Sequence, residues 1–260
     1  MISRQHDRSI NVMKTRKKHT CYGMGLGIMI LDDIYPGFPG DVRNASAWGF
    51  PVQYDLVREV DIKKLVFDED KTPCRQPILE AAQRLESMGC RAIAAECGYF
   101  AWFQEDVAGA VDVPVFMSSL LQVPVIQRTI GPKNDVGIVC FRKPCLTEDH
   151  LRKVGIVPGS NYKIIGAEDD CPEFDKLWDY SRRPEIPVSE YEASERDMIK
   201  LCRRFVQENP SIKSIMLECT GMQPFGRAIQ RELDLPVYSW ATLLDFAWSV
   251  IAHRDFYGHV

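Results

Sequence analysis

Two cysteines occupy equivalent points of a phrase that the chain writes twice. Residues Arg91 to Phe116 and Lys213 to Tyr238 each set a basic residue ahead of Ile-x-x-Glu-Cys, followed by a Gly-containing turn and a helical stretch. In both copies an Asp follows the cysteine by fifteen residues and a Pro by seventeen, with Val and an aromatic next. Cys97 and Cys219 are thus matched. Two thiols flanking one carbon can take a proton from one face and return it to the other, exchanging roles with the handedness of the substrate. A free thiol titrates near about pH 8.5, and a place at a helix N-terminus lowers that toward neutrality, so a thiolate is expected. Backbone N–H groups at the same helix starts can hold a carboxylate and its developing enolate charge. The expected ligand is a small anionic acid.

Around the pair, Gly98 and Gly221 permit close approach of backbone to a ligand. Tyr99 is the aromatic that can shape a pocket, while Phe100, Trp102 and Phe103 are packing residues. Ser118 and Ser119 either line the cleft or cap a helix. Glu96 and Glu218 precede the cysteines and, in a strand, point to the opposite face. His150 falls on a polar helix and is expected in solvent, and no histidine is spaced from either cysteine as in a cysteine hydrolase. The seven other cysteines read as buried small residues, and Cys140 and Cys145 lack the partners of a zinc site. Gly23-x-Gly25-x-Gly27 precedes its strand instead of following it, which excludes a dinucleotide fingerprint.

The elements that position these residues alternate. Gly25 to Leu31, Asp55 to Val66, Ala92 to Ala95 and Val113 to Phe116 read as strands of a first half, with helices at Gln76 to Met88, Tyr99 to Val111 and Ser118 to Thr129. Gly131-Pro132-Lys133-Asn134 breaks the chain. A second half has strands Asp135 to Phe141, Tyr162 to Ile165, Ile212 to Leu217 and Val237-Tyr238. Its helices are Thr147 to Val154, capped by Thr147, then Glu190 to Glu208 and Pro224 to Leu233. Gly166 to Ser189 reads as a surface excursion, and Trp240 to Ala252 as a closing apolar helix. The alternation predicts an α/β fold of two pseudo-symmetric units, each a parallel sheet flanked by helices, with the active site in the cleft between them. The expected division is 1–20 as a mobile basic arm, 21–130 as an N-terminal unit completed by the helix in 240–260, and 131–239 as a C-terminal unit.

Composition narrows the class. The chain has 260 residues, 45% hydrophobic and 26% charged, with a net charge of -4, which fits a globular protein and disfavours nucleic acid as a partner. Its nine cysteines form no disulfide framework. No stretch reaches the length of a membrane helix, so a soluble, cytoplasmic protein without membrane contact is expected. Oligomeric state stays open, a homo-oligomer included.

The motifs ECGYFAWFQ with VDVPVFMSSLLQVP, and LECTGMQPF, resemble the two cysteine motifs of the aspartate/glutamate racemase superfamily, and the likeness spans about Tyr22 to Ala252. The loop PGFPGDVRNASAWGFPV is similar to the N-terminal loop of one branch. The resemblance implies racemisation or epimerisation beside a carboxylate of an amino acid or derivative, without metal, pyridoxal phosphate or other cofactor. Cys97 and Cys219 would be its acid and base. It also implies substrate-binding roles for Asp32, Asp41 and Asn44 on the loop and for the Thr220 hydroxyl. Related members include hydantoin racemases, maleate isomerases and arylmalonate decarboxylases, so isomerisation, decarboxylation or mere binding of a small acid are the alternatives. Cys97 precedes Gly-Tyr where glutamate racemase has Asn-Thr, and Cys219 precedes Thr-Gly where that enzyme has Thr-His, which argues against glutamate as substrate.

Overall fold

The computed structural model describes residues 19–178, 181, 188–254 and 256. Strand β1 (Leu26–Leu31) is an apolar run buried on both faces, as a central parallel strand must be. It lies between β2 (Val52–Val57) and β3 (Ala92–Ala95), and β4 (Val115–Phe116) adds to the far side of β3. The second half repeats this plan with β5 (Asp135–Cys140), β6 (Tyr162–Gly166), β7 (Ile212–Leu217) and β8 (Val237–Tyr238). The orders β2-β1-β3-β4 and β6-β5-β7-β8 are the same, and every pairing is parallel. The fold is α/β, two four-stranded parallel sheets flanked by helices, and the repeat of sequence is a repeat of topology.

That topology fixes where a ligand can sit. From β1 the chain goes to one side for β2 and returns to the other for β3, so the carboxyl ends of β1 and β3 border a crevice, as do those of β5 and β7. Cys97 follows β3 and Cys219 follows β7. Helices α1 (Thr72–Ser87), α2 (Gln104–Ala108) and α3 (Val123–Ile130) belong to the first half, and α4 (Glu148–Lys153), α5 (Pro172–Trp178), α6 (Tyr191–Glu208) and α7 (Gly226–Leu233) to the second. The closing helix α8 (Trp240–Ile251) touches both. Its Trp240 indole donates to the Glu218 carbonyl at 2.9 Å, while Trp248 stacks on Phe50 with centroids 5.1 Å apart.

Several expectations shift. The strand expected over Asp55 to Val66 is β2 three residues earlier, because six residues must register with Leu26–Leu31; Lys63–Phe67 forms a π-helical turn instead. Each helix expected after a cysteine begins as a tight 3-10 turn, Gly98–Phe103 and Thr220–Phe225. The expected surface excursion contains α5, whose Phe174 and Trp178 are buried. His150 is fully buried rather than in solvent. It completes a capping box with Thr147 and meets the rings of Tyr99 and Trp102 edge-on, and burial lowers its pKa to about 4. The basic arm lies outside the described residues except for His19 and Thr20. Among the described residues, no helix is long and apolar enough to cross a membrane.

Candidate active site

At the crevice ends the two halves use the same splice. As β3 finishes, the Glu96 N–H donates to the Met29 carbonyl and its carboxylate accepts from the Leu31 N–H. As β7 finishes, the Glu218 N–H donates to the Val139 carbonyl and its carboxylate accepts from the Phe141 N–H at 3.2 Å. Both side chains thus bridge the splaying strands, and Glu96 lines the same cavity as its cysteine instead of pointing to the opposite face. The next residue in each half is the cysteine.

Cys97 and Cys219 line one narrow, nearly filled cavity with about 10 Å³ of free space. Leu31, Ile62, Phe141 and the rings of Tyr35, Tyr99 and Trp178 supply its apolar walls, and Glu96 and Thr220 complete the ten lining residues. None of the ten is Lys, Arg or His. A wider groove along α7 is open to solvent and carries no thiol.

Electrostatics in this cavity run against the expectation of a ready thiolate. The N–H of Tyr99 lowers the pKa of the Cys97 thiol, and the N–H of Gly221 does so for Cys219. Burial outweighs that single N–H and pushes both thiols well above their ordinary value, with Glu218 adding to each rise. Charge on Cys97 also raises Cys219, as expected of neighbours in one cavity. The resting thiols are therefore neutral at pH 7.

The two glutamates differ in their company. Glu96 forms a buried salt bridge with Arg43, whose Nε and Nη2 donate at 2.8 and 2.6 Å. Arg43 is otherwise committed to the carbonyls of Asp33 and Leu31, and its guanidinium lies 4.3 Å from the Tyr35 ring centroid. The Tyr35 hydroxyl donates to Glu96 at 3.0 Å. Glu218 is fully buried, burial pushes its pKa up to about 8, and its Oε1 has no hydrogen-bond partner.

Of the residues singled out from the sequence, Cys97, Cys219, Tyr99 and Thr220 come together in the cavity. Tyr99 also ties the halves, since its hydroxyl donates to the Arg142 carbonyl at 2.7 Å and accepts from the Arg142 N–H. Gly98 makes room for Glu218 and Gly221 for Trp178; a Cβ at either would lie 1.9 Å from Oε1 or 2.5 Å from the indole. Asp32, Asn44 and Ser118 sit outside the cavity lining. Asp32 caps the Glu59 N–H, Asn44 accepts from the Ser46 N–H and donates to the Gly37 carbonyl, and Ser118 caps the turn before α3. Ser119 clamps the halves by donating to the Leu217 and Glu218 carbonyls. Asp41 is buried, accepts from Tyr35 and the Arg43 N–H, and burial pushes its pKa to about 7. Sequence reasoning missed Tyr35, Ile62, Arg43 and Trp178, and the signal available was the glutamate before each cysteine, which calls for partners. Among the described residues no group of three or more His, Cys, Asp or Glu is placed to hold a metal ion.

Allantoin racemase from Klebsiella pneumoniae superposes with a TM-score of 0.58 at 13% identity, covering 88% of each chain. Unliganded arylmalonate decarboxylase gives 0.53 at 15% identity, covering 91% of this chain and 95% of its own. The chain shares its fold with these two enzymes and with solved aspartate and glutamate racemases. No protein-family profile matches it. In sequence it is 26% identical over 226 residues to a dimethylsulfoniopropionate lyase of Durusdinium sp. clade D, covering 85% of this chain and 73% of that protein. Dimethylsulfoniopropionate lyase 7 of Emiliania huxleyi is 25% identical over 229 residues, and the chain spans 65% of its length. The scaffold is thus one used by racemases and a decarboxylase, with sequence likeness to lyases.

Proposed function

We propose that this protein is an enzyme that removes the proton α to a carboxylate, and that its substrate is a small propionate bearing a sulfonium group, cleaved by β-elimination. The observation that carries the reading is the composition of the cavity: two thiols, Glu96 and a wall of aromatic rings, with no cationic side chain among its lining residues. A simple anion entering such a site would raise the already raised thiols further. A zwitterion does the opposite, because its cation lowers the pKa of a neighbouring thiol. Tyr35, Tyr99 and Trp178 give the lining the aromatic character that suits an onium group, with Tyr35 already carrying the Arg43 guanidinium.

The elimination releases one proton, which the thiol acting as base takes up and must return to solvent before the next turnover. A thiolate takes the α-proton, the electron pair forms the carbon–carbon double bond, and the carbon–sulfur bond breaks. Dimethylsulfoniopropionate would leave as neutral dimethyl sulfide and acrylate. The second thiol and the Thr220 hydroxyl are neutral donors that can steady the charge developing on the carboxylate. The lyases similar in sequence support this choice of leaving group.

Racemisation or epimerisation is the second reading, favoured by the equivalent placement of Cys97 and Cys219 after β3 and β7. The two share the first step and part after it. Incubation with dimethylsulfoniopropionate in deuterated water separates them, with headspace gas chromatography for dimethyl sulfide and NMR for acrylate and α-deuterium. Release of dimethyl sulfide with acrylate is expected. Exchange of α-protons with inversion in chiral acids and no sulfide would favour the second reading, and neither signal would defeat both.

A further inference from the structure

The asymmetry between the two glutamates has a functional meaning. Glu96 and Glu218 hold equivalent places, each splicing two strand ends and each preceding a cysteine. Glu96 meets Arg43, the Leu31 N–H and the Tyr35 hydroxyl. Glu218 has only the Phe141 N–H, on Oε2, and its bare Oε1 packs against the backbone of Gly98, the residue after Cys97. One half has a buried ion pair. The other has a lone buried carboxyl whose charge acts on both thiols.

We propose that Glu218 works as a neutral carboxylic acid, and that its ionisation switches the thiol pair off. Buried surroundings tolerate one uncompensated negative charge far more readily than two. While Glu218 is protonated, that charge can form on Cys97 or Cys219. Once it ionises, the charge already resides on the carboxylate, and a thiolate beside it would be a second. Nothing is consumed or created, since the groups compete for one site of deprotonation and titrate as a cluster.

Glu218 titrates before the two thiols; Asp41, at about 7, titrates earlier and adds to the rise of Cys219, while Lys71 lowers Cys97. From the turn after β3 it is faced by Cys97 and Tyr99, from β5 by Cys140, and on its own turn by Cys219; its charge raises the pKa of all four. From the turn before α3 and from α8 come Ser119 and Trp240, which bond its carbonyl rather than its carboxyl. The influences on Glu218 itself are burial, which raises its pKa, and the Phe141 N–H, which lowers it, with no Lys or Arg among them. Glu218 reaches about 8, below both thiols, so it ionises before them. Glu218 is therefore a positioning residue, setting the alkaline limit of a chemistry performed by the cysteines.

The inference rests on the thiol-pair reading of the site, but its test needs no substrate, so the two can fail separately. The probe is iodoacetamide, with alkylation of Cys97 read by peptide mass spectrometry from pH 6.5 to 9.5. In the wild type the rate should climb with pH and level off above about pH 8. Glu218→Gln keeps an acceptor for the Phe141 N–H and mimics the neutral acid, so its rate should match the wild type below pH 7 and go on rising. By pH 9.5 it should exceed the wild type about 10- to 30-fold, the ratio set by a competitor with a pKa near 8. Superimposed profiles, or a variant slower by a constant factor at every pH, would overturn the proposal. The wild-type profile decides the matter even if the variant fails to fold, because a rise of constant slope through pH 8 to 9.5 is incompatible with it.

Discussion

Each thiol receives a single lowering N–H, from Tyr99 or Gly221, and the loss of water around it is the larger effect. The same burial acts on Glu218, with a consequence for stability. Its folded pKa of about 8 lies above the ordinary 4.5, so the folded state holds this proton more tightly than the unfolded one. Stability from this group is complete below pH 4.5 and is lost as pH rises through 8, by on the order of a few kcal/mol. Glu218→Gln should therefore melt higher than the wild type at pH 9, with the gain fading toward pH 5; an equal shift at both values would contradict the burial argument. Arg43 offers the converse case. Arg43→Ala strands Glu96, which is 1% exposed, and should destabilise by about 3–5 kcal/mol in chemical denaturation. Both glutamates were visible in the sequence as a repeated Glu-Cys. Their partners were not, because Tyr35, Arg43 and Phe141 lie outside the repeat and meet the glutamates only through tertiary folding.

At the level of elements, strands were more legible than turns. Ala92–Ala95 and Ile212–Leu217 stand where their apolar runs predict, since a central parallel strand is buried on both faces and its composition says so. The turns after the cysteines look helical in sequence yet start as 3-10, and the Gly at each start lets a side chain from elsewhere lie on the backbone. Helix α5 escaped notice because seven residues flanked by Pro and acidic groups show no periodicity, while its burial comes from Phe174 and Trp178 packing over Gly221. Gly221→Ala would place a methyl 2.5 Å from the Trp178 ring and must displace it. We expect a loss of about 1–3 kcal/mol and a shift in tryptophan emission. Unchanged emission with unchanged stability would show that Trp178 does not cover this turn.

For the whole molecule, duplication is what turns two unremarkable cysteines into a site. Either thiol alone is a buried residue after a strand. Two sheets of the same strand order, joined through Tyr99, Ser119 and α8, put both thiols in one cavity and carry the carboxyl ends of β3 and β7 toward each other. The central claim is that the pair forms the reactive unit. Its most direct test is turnover of dimethylsulfoniopropionate by Cys97→Ala and Cys219→Ala beside the wild type, followed as dimethyl sulfide released, with circular dichroism to confirm folding. We predict that each folded variant loses activity by about 10²-fold or more, the scale of a lost acid or base. Wild-type turnover in both variants would contradict the account.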